Sequence, residues 1–320
     1  MVHHTAIVPE RLGGMRLDQV LAELFPSFSR SRLKDWILAG QVQVDGRTPR
    51  PRDRVVGGER VALDVTLEPT TTQPRAEAIP LTIVYEDAEL IIVDKPAGLV
   101  VHPGAGNPNH TLQNALLHHA PELAALPRSG IVHRLDKATS GLLAVGRTLH
   151  AHTQLVRALQ ARLIERQYEA VVTGVLTGGG TIDAPIGRHP TRRTHMSVRE
   201  DGRPAISHYR VLRRFRSHTH LRVQLETGRT HQIRVHLAHL GYPLVGDPQY
   251  GGRRTMPRGA TPQLRDTLRA FKRQALHASR LALAHPVTEA TLAWDSPLPA
   301  DLRSLLDALE VDSKADRDEG

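Results

Sequence analysis

The chain has no cysteine. Disulfides, thiolate nucleophiles, iron–sulfur clusters and Cys-type zinc sites are excluded with it. Aromatic residues are scarce, at 3%. A sheet that stacks several RNA bases on its rings needs more than that, so RNA bound here is held through phosphates and shape. No apolar run reaches the roughly 18 residues that cross a bilayer. The opening MVHHTAIVPERLGG lacks a basic start followed by a hydrophobic core, so no signal peptide and a soluble cytoplasmic protein are expected. GxGxxG, the phosphate-loop glycine pattern and GxSxG are all missing. The 19 histidines form no HExxH: His236 and His239 are three apart without a Glu between them, and adjacent His118 and His119 cannot both face one ion from a helix. Neither a metal nor a cofactor is expected.

Positive charge is what the chain has in excess. Lys and Arg number 42 against 33 Asp and Glu, a net +9, and the sequence pI is about 10.4. Such a balance favours an anionic partner, most often nucleic acid, over an ordinary basic enzyme. The 320 residues suit two domains, and a 40% hydrophobic share is enough for a core.

Residues 15–65 read as helix, turn, helix, turn, strand. Leu17, Val20, Leu21 and Leu24 recur at helical spacing, and Pro26 ends that helix. Ser29 is expected to cap a second helix carrying Leu33, Trp36, Ile37 and Leu38, which Gly40 closes before the strand VQVDG. Arg30, Arg32 and Lys34 cluster at the start of the second helix, where cations and free N–H groups together suit phosphate; the plainer reading is a solvated helical hairpin. This stretch resembles an S4 domain, a small RNA-binding module. Residues 66–79, with three consecutive Thr and two Pro, are expected to be a linker. From 80 to 309 strands and helices mix without a regular βαβ repeat, which predicts an α+β domain on a largely antiparallel sheet. Helices are expected at 111–119, 148–163, 231–240 and 262–272. The tail, 310–320, carries five acids and two bases and is expected to be disordered.

Three stretches invite chemistry. Between 188 and 216 nine Arg face only Glu200 and Asp201; Arg192 and Arg193 lie within it, and arginine suits bidentate phosphate contact. In GRTHQIRVHLAHLG, Thr230 is expected to cap a helix with Ile233, Leu237 and Leu240 on one apolar face, stopped by Gly241. Arg234 lies beside that stripe and needs a carboxylate partner if buried; Asp136 is the evident candidate. In GIVHRLDKATSGLL, Asp136 sits between Arg134 and Lys137 on a turn bracketed by apolar residues. It is either a surface ion pair or a nucleophile or base kept ionised by cations.

Taken together, VDKPAGLVVHP, GIVHRLDKATSGLL, ERQYEAVVTG and GRTHQIRVHLAHLGYPLVGDPQYG, in this order, closely resemble the RluA family of pseudouridine synthases. The resemblance spans nearly the whole chain, with the S4-like segment in front. It implies cofactor-free isomerisation of uridine in 23S rRNA, with the loop of helix 69 as the target and the large ribosomal subunit or its precursor as partner. It makes Asp136 the catalytic aspartate, Tyr168 the active-site tyrosine and Arg234 the partner of Asp136. Arg134 takes the place of the residue that fills the gap left by a flipped base, and Arg229 and Ile233 fall on the substrate side. Relatives often carry a cation two residues before the tyrosine; here that position is Arg166. The competing reading is a catalytically silent rRNA-binding or assembly protein, which has no need for Asp136, Tyr168 and Arg234 together. A His-based metallohydrolase is a third, which chelation would inactivate.

Overall fold

The computed structural model describes residues 2–25, 28, 30–65, 74–104, 106–192, 194–252 and 256–318. Pro26, Ser29, Arg193 and most of the expected linker lie outside them. The chain divides into two compact units, Met1–Gln73 and Pro74–Gly320.

In the first unit β1 (Val2–Ile7), α1 (Leu17–Leu24), α2 (Arg30–Leu38), β2 (Val42–Val44) and β3 (Arg60–Val65) follow one another. The strands form an antiparallel sheet in the order β1-β3-β2. Leu17, Val20 and Leu21 of α1 pack with Leu33, Trp36 and Ile37 of α2 and with Val42, Val61 and Leu63 of the sheet. Leu38, expected on the apolar face, is exposed. Gly40 ends α2 with a positive φ of 73°. Of the basic cluster on α2, Lys34 is exposed, and the side chains of Arg30 and Arg32 lie outside the described residues.

The second unit contains β4 (Thr82–Glu86), β5 (Leu90–Lys95), α3 (Leu112–His119), β6 (Ser140–Gly146), α4 (Leu149–Gln160), β7 (Glu165–Thr173), β8 (Gly180–Asp183), β9 (Ile186–Arg188), β10 (Met196–Val198), β11 (Ile206–Arg214), β12 (His218–Leu225), α5 (Gln232–His239), α6 (Pro262–Ala270), β13 (Leu276–Ala284), β14 (Thr291–Asp295) and α7 (Ala300–Asp318). Nine strands make one sheet, ordered β4-β5-β6-β13-β7-β12-β11-β8, with β14 added on β13. Every pairing in it is antiparallel except β6 with β13. The mixed, largely antiparallel α+β architecture is the one the sequence predicts. Ile91 and Val93 of β5 join one core cluster while Leu90 and Ile92 join another, because successive side chains of a strand leave opposite faces. Both faces of the sheet are therefore covered at β5.

Two expectations are corrected. The tail is helical: α7 runs to Asp318, with Leu302, Leu305, Ala308 and Leu309 packed against Leu264 and Leu268 of α6. Its acids meet an arginine. Arg216 donates to Asp312 and to Asp316, and the Thr261 N–H donates to Asp312 at 2.7 Å. The arginine run is also less free than its density suggests. Arg199 pairs with Asp201 and Arg213 with Glu310, while Arg214 donates to the Leu176 carbonyl. With Arg216, at least four of the run's described arginines are tied down internally.

Candidate active site

The segment carrying Asp136 is pinned against β6. Gly130 has φ +78°, and a Cβ there would lie 2.0 Å from the Gly146 carbonyl. Ile131 bridges Val145, and the Ala144 N–H donates to His133 Nε2 at 2.9 Å. That hydrogen bond requires a neutral ring, in keeping with a His133 pKa pushed down to about 3 by burial and by Arg166. The chain then turns, the Thr139 N–H donating to the Asp136 carbonyl at 3.0 Å. Lys95, wholly buried beneath this turn, donates to the carbonyls of Pro96, Leu99 and Lys137. The turn enters β6 through Gly141, which has φ +114°; a Cβ there would meet the Ala278 carbonyl at 2.2 Å.

Opposite stands α5. Its N-cap is His231, in the left-handed region at φ 57°, and no side chain caps it. The expectation that Thr230 caps this helix is thus corrected. Gln232 organises the approach instead: its Oε1 accepts from Thr227 Oγ1 and from the Arg229 N–H, and its Nε2 donates to the Ile206 carbonyl. Ile233 and Leu237 are buried as expected, but Leu240 is exposed. Gly241, at φ 85°, ends the helix, with the Tyr242 N–H reaching back to the Leu237 carbonyl.

Arg234 is buried and joins the two halves. It donates through Nη1 to Asp136 Oδ2 at 2.9 Å and through Nε to Asp247 Oδ2 at 2.7 Å. Its Nη2 donates to Asp247 Oδ1 at 2.9 Å and to Gln249 Oε1 at 2.8 Å. The partner expected from sequence is present, and a second carboxylate holds the guanidinium from behind. Burial alone would lower the Arg234 pKa, but the two aspartates raise it overall. Asp247 is held below its usual range by Arg234, against the opposing effect of burial. The guanidinium carbon lies 4.9 Å from the centre of the Tyr250 ring. Tyr250 Oη accepts from the Met196 N–H at 2.9 Å and lies 2.8 Å from His231 Nδ1. With the hydroxyl proton given to Nδ1, the His231 Nε2–H faces Asp136 Oδ1, 3.9 Å away.

Of these groups Asp136, His231 and Arg234 line a cavity of about 520 Å³, a size that admits a small ligand. Asp136, Tyr168, Arg234, Arg134, Arg229 and Ile233 all border it. Tyr168, on β7, is 6% exposed; burial raises its phenol pKa, Arg166 pulls it down and Asp136 pushes it up. The Asp136 carboxylate keeps 16% of its surface exposed, enough to meet a ligand. Arg134 is exposed and Arg229 half-buried, its Nε donating to the Pro204 carbonyl. Arg192 does not line the cavity. It is exposed on the loop after β9, whose His195 ring packs 5.6 Å from the Tyr250 ring. Arg30, Arg32 and Lys34 belong to the other unit. Sequence reasoning assigned nothing to Asp247, Tyr250 or His231, although all three lie in the stretch quoted around Arg234. The usable signal was that a buried guanidinium has five N–H donors, more than one carboxylate can satisfy. His236 spends both ring nitrogens, on Ser207 Oγ and on the Ala184 carbonyl, which leaves none for a metal.

A family model described as RNA pseudouridylate synthase matches residues 89–239, and one described as S4 domain matches residues 15–61. Over 315 residues the chain is 57% identical to a Pseudomonas aeruginosa protein named ribosomal large subunit pseudouridine synthase D, covering 98% of each. A protein of the same name from Xanthomonas campestris pv. campestris is 58% identical over 308 residues, 96% of this chain and 93% of that one. The Escherichia coli K12 protein of that name is 53% identical over 319 residues. Among solved structures, human RNA pseudouridylate synthase domain containing 4 superposes with a TM-score of 0.56 at 25% identity, covering 71% of this chain and 92% of that one.

Proposed function

Since the chain belongs to the RluA family of pseudouridine synthases, enzymes that isomerise uridine in RNA, we propose that it acts on 23S rRNA, at the uridines of the helix 69 loop, using Asp136 and no cofactor. The relatives are named for the ribosomal large subunit, which supports its rRNA as the substrate, and the helix 69 target follows from the resemblance of the motifs. One observation carries the chemical reading: Asp136, aimed by Arg234 at 2.9 Å, shares a cavity with Tyr168.

The reaction breaks the C1′–N1 bond, turns the base and joins C5 to C1′. Atoms and electrons balance without an external oxidant or reductant. A base stacked in RNA hides C1′, so the nucleotide is first extruded. Arg134, exposed at the cavity, fills the space it leaves. The Asp136 carboxylate faces the sugar, where a charged oxygen can attack or stabilise an oxocarbenium-like centre. Arg234 occupies Oδ2, which leaves Oδ1 as the reacting oxygen. Tyr168 stacks on the base, and its phenol oxygen relays the C5 proton, accepting it as the hydroxyl's own proton passes on to solvent. The basic surface and the S4 unit bind the rRNA, in the cytoplasm, either naked or as the large subunit or its precursor.

The test is tritium release from C5-labelled uridine in 23S rRNA, supplied naked and in large subunits. Wild type releases tritium with and without EDTA, and Asp136→Asn releases none. No release by wild type from either substrate, with tight binding retained, would replace this reading with that of an rRNA-binding assembly protein.

A further inference from the structure

Among the described residues, Arg166 is a buried cation without a counter-ion. It is 7% exposed and lines the cavity. Its Nη2 donates weakly to the Glu226 and Leu225 carbonyls, at 3.2 and 3.5 Å, and its Nε is buried with no acceptor. Among the described residues no carboxylate pairs with it. The carboxylate of Glu226, the nearest acid in sequence to those carbonyls, is taken by Arg162 at 2.6 Å and His208 at 2.7 Å. An uncompensated buried charge is costly to keep, so a folded protein that keeps one implies a ligand that completes it. The surrounding chain makes room for it: a Cβ on Gly228 would lie 2.9 Å from Arg166 Nη1.

The position of that guanidinium selects the ligand. Arg166 and Tyr168 alternate with half-buried neighbours on β7, so both leave the same face. They stand about 6.6 Å apart along the strand, near enough for one pyrimidine to meet both. Arg166 acts electrostatically on Tyr168 and His133, and Asp136 acts on Tyr168 as well. Carboxylate, phenol and guanidinium thus border one cavity. A nucleoside with its C1′ at Asp136 and its ring over Tyr168 directs the edge opposite N1 at Arg166, and in uracil that edge is O4. The RNA phosphates have other cations to meet, since Arg134 is exposed and Arg229 half-buried on the same cavity.

We propose that Arg166 binds O4 of the flipped uracil and stabilises the negative charge that reaches it when the base detaches. The inference rests on the function proposed above. When C1′–N1 breaks heterolytically, the bonding pair stays on the base and spreads from N1 to O2 and O4. C5 then supplies the pair for the new C1′–C5 bond, the C5 proton leaves, and N1 ends protonated. A donor-only guanidinium is more strongly bound at the detached stage than before it, which is what accelerates a step. It also rejects cytosine, whose exocyclic amine presents N–H groups where uracil presents an acceptor.

Single-turnover pseudouridine formation in 23S rRNA tests this, with RNA affinity measured in parallel. Arg166→Met lowers the rate at saturating RNA by about 10²–10³-fold, the usual loss on removing one charge-stabilising donor, and leaves affinity unchanged. Arg166→Lys recovers part of the rate. Replacing O4 of the target with sulfur slows wild type but adds little to the defect of Arg166→Met. Should Arg166→Met fail to fold, Gly228→Ala, which displaces the guanidinium, gives the same rate loss without loss of affinity. A defect that more RNA restores would make Arg166 a phosphate contact and overturn the inference, as would a wild-type rate in Arg166→Met. An active wild type beside an unaffected variant overturns this inference alone; an inactive wild type overturns the proposed function with it.

Discussion

At the scale of the residue, the cavity is organised by groups whose burial conflicts with their charge. Lys95 is the clearest case after Arg166. No part of it reaches solvent, its amine donates to three carbonyls, and burial lowers its pKa to about 7 although Asp136 and Asp94 oppose the shift. A free lysine titrates near 10.4. Between these two values the unfolded chain holds a proton that the folded chain has released, so stability rises with pH across that window and is lost as pH falls toward 7. Urea unfolding of wild type and Lys95→Met from pH 7 to 10 checks the sign: the stability difference moves in favour of wild type as pH rises. Curves that stay parallel would remove Lys95 from this role. Arg234 resolves the same conflict by pairing, with Asp136 in front and Asp247 behind. The sequence offered Asp136 as its partner through an obvious motif. Asp247 was hidden because GDPQY reads as an ordinary turn, and only the fold places it against the guanidinium.

At the scale of the element, the site depends on one parallel junction in an otherwise antiparallel sheet. Strand β6 delivers the Asp136 turn and β13 lies beside it, paired His277 to Ser140 and Ala278 to Gly141. Gly141 is the only residue type that fits, since its φ of +114° and the carbonyl 2.2 Å from a would-be Cβ both exclude a side chain. Gly141→Ala forces the strands apart. It is expected to cost about 2–4 kcal/mol, on the scale of severe backbone and packing defects, and to reduce tritium release with it; a variant as stable and active as wild type would refute the account. Helix positions were legible from apolar periodicity, and α3, α4, α5 and α6 lie close to where the pattern puts them. Helix ends were less so. Thr111 and Thr148 cap α3 and α4 with their side chains, whereas α5 starts at an uncapped left-handed histidine. The acidic tail misled because its partner Arg216 lies about a hundred residues away in sequence; alone its charges repel, and only tertiary packing neutralises them.

At the scale of the whole molecule, the net charge of +9 should appear as salt-dependent RNA binding, because neutralised phosphates release counterions. Not all of the arginine run contributes, since Arg199, Arg213, Arg214 and Arg216 are engaged within the chain. Arg192 is exposed beside the loop that packs on Tyr250. Replacing Arg192 and Arg193 together by alanine is expected to weaken 23S rRNA binding and to reduce the slope of log affinity against log salt by about 1–2. An unchanged slope would exclude this loop from the RNA surface.

The ordered motifs, through their resemblance to the RluA family and to an S4 domain, were enough to give the family, the S4 unit in front and Asp136 as the partner of Arg234, and apolar periodicity without a βαβ repeat was enough to give the α+β class, because motifs and periodicity are properties of residue type and local spacing. The tertiary structure decided which charges are satisfied. It gave Arg234 its second carboxylate, placed Lys95 beneath the Asp136 turn, made the acidic tail helical and left Arg166 near Tyr168 with no carboxylate partner among the described residues. Those outcomes depend on burial and on contacts between residues far apart in sequence, and electrostatic energy in a protein is set by surroundings as much as by the charges themselves.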